Sequence, residues 1–117
     1  MTDRARHSRQ SRLAEVGEGG QERLGRAEVG VAGTGPAAVV AARYLAGAGL
    51  GSLRTRDGAA ARAARAVDPA VRAVVDETTQ PASCPLPFDV DDPAARAVAS
   101  GAYAALRAIR AIVLHDA

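Results

Sequence analysis

The sequence predicts a small α/β domain with a parallel sheet of about three strands, N-terminal helices and a long C-terminal helix. Three observations point there. Short apolar runs alternate with alanine-rich helical stretches, in the order β-α-β-α-β-loop-α. A glycine-rich turn, Gly33-Thr34-Gly35-Pro36-Ala37-Ala38, separates the first such run from the first apolar helix. The chain has 117 residues, which suits one domain and not two. A hydrophobic fraction of 48% with a net charge of +2 argues against disorder of the whole chain. With one Phe, two Tyr and no Trp, the core must come from Val, Leu, Ile and Ala, which is thin packing.

Residues 1–8 are polar and read as a disordered tail, leaving 9–117 as the domain. Helix-like stretches run from Arg9 to Leu13 and from Gly20 to Arg26, with glycines at 17, 19 and 20 as a turn between them. Ala27 to Ala32 is a short apolar-leaning run that reads as a buried strand. Val39 to Ala46 is an apolar helix closed by Gly47 and Gly49. Leu50 to Asp57 is a second strand, weakened by Arg54 and Arg56. Ala59 to Val67 is helical and stops at Asp68-Pro69. Val71 to Val75 is a third strand. Residues 76–92 hold three prolines and no clean period, so they form a loop. Asp92 as N-cap and Pro93 at the first helical position open a last helix to about Leu114. Val98, Ala102, Leu106, Ile109 and Val113 fall on one face of it.

Composition excludes several classes. All 15 basic residues are Arg, and neither Lys nor Asn occurs. That removes Schiff-base lysines, a Walker lysine and an Asn-held Mg²⁺. The arginines are interleaved with acids and alanines except at residues 4–12, and few aromatics exist to stack bases, so nucleic acid is not the expected partner. No run approaches 18 apolar residues and no apolar stretch follows the charged N-terminus. Neither a membrane partner nor a secretory signal is expected, and the compartment is taken as cytoplasmic. One Cys excludes a disulfide framework and a cysteine-rich zinc site.

One constellation carries chemistry. A strand, Gly33-x-Gly35-x-x-Ala38, a helix, a second strand and then Asp57 follow the dinucleotide-type fingerprint. Gly33 permits the tight turn and Gly35 lets backbone approach a phosphate. Ala37 lies in the helix's first turn, and Ala38 is small enough for close helix–strand contact. The helix N-terminus offers N–H donors and a favourable dipole to an anion. Asp57 stands where a carboxylate would accept from ribose hydroxyls. Pro36 removes one donor from the cradle while suiting the first helical position. The fold class is therefore a small Rossmann-like three-layer domain. The competing reading is an ordinary β–α turn beside a surface Asp.

A wider pattern runs from His7 to Asp57. It comprises His7-Ser8-Arg9-Gln10-Ser11-Arg12-Leu13, Gly20-Gln21-Glu22-Arg23-Leu24, Ala27-Glu28-Val29-Gly30-Val31, GTGPAA, and Tyr44-Leu45-Ala46-Gly47-Ala48-Gly49-Leu50-Gly51. This order resembles the start of the ThiF/MoeB/HesA family, the ubiquitin-activating-enzyme-like adenylyltransferases. Asp68-Pro69 with Val71, and Ser100-Gly101 to Ile112, resemble later family elements more loosely. The resemblance implies an ATP-dependent adenylyltransferase that activates the C-terminal glycine of a ubiquitin-like sulfur carrier or modifier. It implies that Gly33 and Gly35 line the phosphates, that Asp57 holds the ribose, and that Arg9 reaches the partner subunit's ATP in trans. It also implies a homodimer, or a heterodimer with a full-length ThiF-like protein.

The chain departs from the family in the middle. Gly58-Ala59-Ala60 follows Asp57 where the family has a second acid and an Asn-Leu-x-Arg-Gln segment. The family lysine and its paired zinc cysteines are missing. The expectation is weak ATP binding, with Mg as its accompanying ion, no zinc, and defective adenylation, as in a pseudoenzyme. Alternatives are a non-catalytic interaction module and a NAD- or FAD-binding remnant. Asp89, Asp91 and Asp92 are read as capping and solvated acids, Cys84 as a passive loop thiol, His7 and His115 as surface residues, and Tyr44 and Tyr103 as packing.

Overall fold

Glycine and proline set most of the element boundaries. A computed structural model of the chain describes residues 18–79 and 86–114. In chain order these form α1 (Glu18–Arg26), β1 (Glu28–Val31), α2 (Pro36–Ala48), β2 (Ser52–Thr55), α3 (Gly58–Val67), β3 (Arg72–Val75) and α4 (Pro93–Val113). The Arg9–Leu13 stretch, the tail before it, His7, Cys84 and His115 lie outside the described residues.

The strands form one parallel sheet in the order β1-β2-β3. Glu28 pairs with Ser52 and Val31 with Thr55, and on the other side of β2 Ser52 pairs with Arg72 and Thr55 with Val75. With this order and the usual right-handed crossovers, α2 and α3 lie on the same face. They pack against each other there. Residues alternate across the sheet accordingly. Val31, Leu53 and Thr55 are buried, whereas Glu28, Gly30, Arg54, Arg72 and Val74 are exposed. Arg54 therefore does not weaken β2. It sits on the open face, with Glu28 at 3.3 Å and Asp76 at 3.5 Å.

The core is Val31, Ala38, Ala41, Ala42, Leu45, Ala46, Leu50, Leu53, Ala60, Ala64, Val71 and Ala105. Alanine predominates, as the composition requires. The three-stranded parallel sheet, the N-terminal helix and the long C-terminal helix agree with the predicted α/β class.

Several boundaries differ from expectation. α1 begins at Glu18, so Gly19 and Gly20 lie in its first turn rather than in a connecting turn. α2 starts at Pro36, and Gly49 closes it at φ 100°, donating to Ala46 and Leu45 carbonyls. Gly47 stays inside that helix. Asp57 lies beyond β2 and is the N-cap of α3. Asp92 caps α4 by accepting from the Ala95 N–H at 2.9 Å, with Pro93 next, as predicted.

The packed face of α4 also differs. Gly101, Ala105 and Val113 are its buried residues, with Ala108, Ile109 and Ile112 beside them. Val98 and Leu106 from the predicted stripe are half exposed. A Cβ on Gly101 would strike the Ala37 carbonyl and come within 2.8 Å of the Val40 Cβ. α4 crosses α2 so closely that only small residues fit the seam, and the larger ones turn outward. α1 completes the helical side. Its Arg23 donates to the Val113 carbonyl at 3.0 Å, satisfying an orphan acceptor at the end of α4.

Candidate functional site

The β1–α2 turn is built on two left-handed glycines. Gly33 has φ 84° and Gly35 φ 86°, conformations that a Cβ disfavours. A Cβ at either would meet nothing within 4 Å, so the space beside the turn is open. Gly35 is the N-cap of α2 and Pro36 its first residue.

Asp57 reaches this turn directly. Its Oδ2 accepts from the Gly35 N–H at 2.8 Å, and its Oδ1 accepts from the Ala59 N–H at 2.8 Å. One carboxylate thus ties the glycine turn to the start of α3. The Thr55 hydroxyl oxygen steadies the approach by accepting from the Asp57 N–H at 3.0 Å. The Gly35 and Ala59 amides hold the Asp57 carboxyl below the ordinary value of 3.8, desolvation opposes them, and the Ala60 amide and Arg62 assist more weakly.

The donor inventory at the helix follows from these bonds. The Gly35 N–H is engaged by Asp57, and Pro36 has none. The Val39 N–H returns to the Gly35 carbonyl at 3.2 Å. The Ala37 and Ala38 N–H groups remain at the positive end of a 13-residue helix. Ala38 is buried against the core, while Ala37 is half-buried. Beside them lies a cavity of about 420 Å³ between β1, α2 and α4, whose walls include Ala32, Ala37, Ser100 and Arg107.

Gly33, Gly35, Ala37, Ala38 and Asp57 therefore come together at one end of α2. The geometry suits an anion at the helix terminus and a hydroxyl donor on Asp57, each of whose oxygens keeps a second lone pair. Arg9 lies outside the described residues. Asp92 is used as a cap, and Asp89 and Asp91 are exposed. Among the described residues, no group of three or more His, Cys, Asp or Glu is placed to hold a metal ion. Sequence reasoning missed Arg62. It lies one turn into α3, near Gly58, and puts a cation beside Asp57. Its spacing from the N-cap was the available signal. Nor was the capping role of Asp57 anticipated, although Asp-Gly-Ala-Ala before an alanine helix is a start signal. No described helix is long and apolar enough to cross a membrane.

No family model matches the chain, and no solved structure matches it. Over 53 residues it is 49% identical to the adenylyltransferase and sulfurtransferase MOCS3 of Anopheles gambiae. That stretch is 45% of this chain and 12% of the length of that relative. Part of the chain is thus similar to part of an adenylyltransferase and sulfurtransferase.

Proposed function

We propose that the chain is a nucleotide-binding domain of ThiF/MoeB/HesA type with defective adenylation. The observation that carries this reading is the Asp57 carboxylate bonded to Gly35 at 2.8 Å, which joins glycine turn and acid into one site. The partial identity to an adenylyltransferase supports it from a second direction.

The residues fit ATP in kind. The Ala37 and Ala38 amides and the dipole of α2 would face phosphate, and the open flank of Gly33 and Gly35 admits it without a side-chain clash. Asp57, held ionised, accepts from ribose hydroxyls. When bound, ATP supplies the adenylyl group. This chain contributes binding and orientation, but no lysine to stabilise the leaving phosphates. Arg9 acting on a partner subunit's nucleotide, a dimer with a second copy or a full-length ThiF-like protein, and a ubiquitin-like sulfur carrier as substrate belong to this proposal. Mg would accompany the nucleotide, and cytoplasm is the proposed compartment.

Titration calorimetry with ATP tests the reading. The loss of several charge-assisted contacts, at roughly 1.5–3 kcal/mol each, places the expected Kd in the high micromolar range or weaker. Pyrophosphate exchange in the presence of a sulfur carrier should stay at background. Robust Mg²⁺-dependent exchange by the pure chain would overturn the defect, and NADH binding tighter than ATP would favour the NAD/FAD remnant instead.

A further inference from the structure

We infer that a groove between α1, α2 and α4 docks an acidic amphipathic segment of a partner protein, anchored by an aromatic side chain. The sequence has only three aromatic residues, and all three line this one cavity: Tyr44 from α2, Phe88 from the loop before α4, and Tyr103 from α4. Leu24 forms part of the wall and Leu106 part of the rim, around a space of about 420 Å³. Tyr44, Phe88 and Leu106 are each more than half exposed, which is an unusual place for a chain to spend its largest apolar side chains. Tyr44 and Ala48 put the groove at the C-terminal end of α2, opposite the glycine turn, and only Arg107, on its continuation, also walls the cavity beside Ala37.

Charge defines the occupant. α4 carries Arg96, Arg107 and Arg110 and no acid. Arg107 lies over the Tyr103 ring at 5.9 Å. The groove continues past Tyr103 and Leu106 to Arg110 and the exposed Leu114, longer than one side chain needs. Carboxylates flanking an apolar stripe complement that surface, and a symmetric pairing of α4 with a second copy would oppose like charges.

The chain has no Trp, so indole emission reports the probe alone. The probe is a synthetic helical peptide of about 14 residues with one Trp, two Leu on the same face and flanking Glu. The full chain should bind it with a blue shift. Leu106→Arg and Tyr44→Glu, both at exposed positions that far-UV circular dichroism can verify as folded, should each weaken binding at least about tenfold. Arg107→Glu with Arg110→Glu should do the same and remove the salt dependence. Absence of binding at about 1 mM peptide, well beyond a micromolar docking affinity, overturns the proposal. So does equal binding by Leu106→Arg. Concentration-dependent dimerisation lost in Leu106→Arg would assign the groove to a second copy. Capture of the chain by anionic vesicles that displaces the peptide would assign it to a membrane surface. Either result also overturns the proposal.

Discussion

Two pairs of glycines in this chain exclude side chains for opposite reasons. At Gly33 and Gly35 the backbone is left-handed, and a Cβ would meet nothing within 4 Å. At Gly51 and Gly101 a Cβ would run into main chain, the Gly25 carbonyl in one case and the Ala37 carbonyl in the other. The first pair keeps a surface clear. The second lets α1 close on the start of β2 and α4 close on α2. Glycine at the first pair leaves open space beside the turn, whereas glycine at the second permits close packing. The residue type alone does not distinguish the two cases.

Substitutions separate the pairs. Gly51→Ala should have the largest effect, because the Cβ would meet only main-chain atoms of Gly25 and no flexible side chain that could move aside. Its cost should be about 3 kcal/mol or more, enough to broaden or abolish the thermal transition seen by circular dichroism. Gly101→Ala should follow at about 1–3 kcal/mol, since α4 must move off α2 as a body. A variant as stable as the parent would refute the close crossing. Gly35→Ala should cost about 1–2 kcal/mol from its positive φ and also abolish ATP binding. If it lowers stability but leaves ATP binding intact, the turn is structural only.

Asp57 belongs to both categories. Removing its side chain should weaken ATP and also uncap α3, at about 1 kcal/mol. Its bonds to Gly35 and Ala59 make Asp57→Ala a stability variant as well as a binding variant. Because its folded pKa is depressed, its contribution to stability is fully present above the unfolded value near 3.8 and is lost as pH falls through the lower folded value. Asp76, lowered by the Thr78 hydroxyl and amide and by Arg54, loses its contribution in the same window. Acid titration of stability below pH 3.8 should be shallower in Asp57→Ala than in the parent. The smallest effect belongs to Arg54→Ala on the open sheet face. There, exposed ion pairs with Glu28 and Asp76 should be worth no more than about 0.5 kcal/mol.

The order of elements was legible because glycine, proline and capping acids mark the boundaries, as Asp92-Pro93 does for α4. The packed face of that helix was not. A pattern of large apolar residues selects Val98 and Leu106, but a seam as close as the one at Gly101 and Ala105 is made by residues that carry no hydrophobic signal. The glycine turn and Asp57 were legible as a pair from spacing. Their direct bond was not, since spacing places Asp57 near the turn without saying which oxygen meets which amide. The aromatic groove was equally hidden. Tyr44, Phe88 and Tyr103 are far apart in sequence and share no motif.

More than half of the buried apolar side chains among the described residues are alanine. An alanine interior removes less apolar area from water per residue than one of leucine and phenylalanine. The heat-capacity change of unfolding scales with that area, at about 0.45 cal/K/mol for each Å² of apolar surface. This chain should therefore fall below the usual 12–15 cal/mol/K per residue. Its stability curve should be broad and low, changing little between cold and physiological temperature. Tolerance of temperature would then come from shallow curvature rather than from a high maximum.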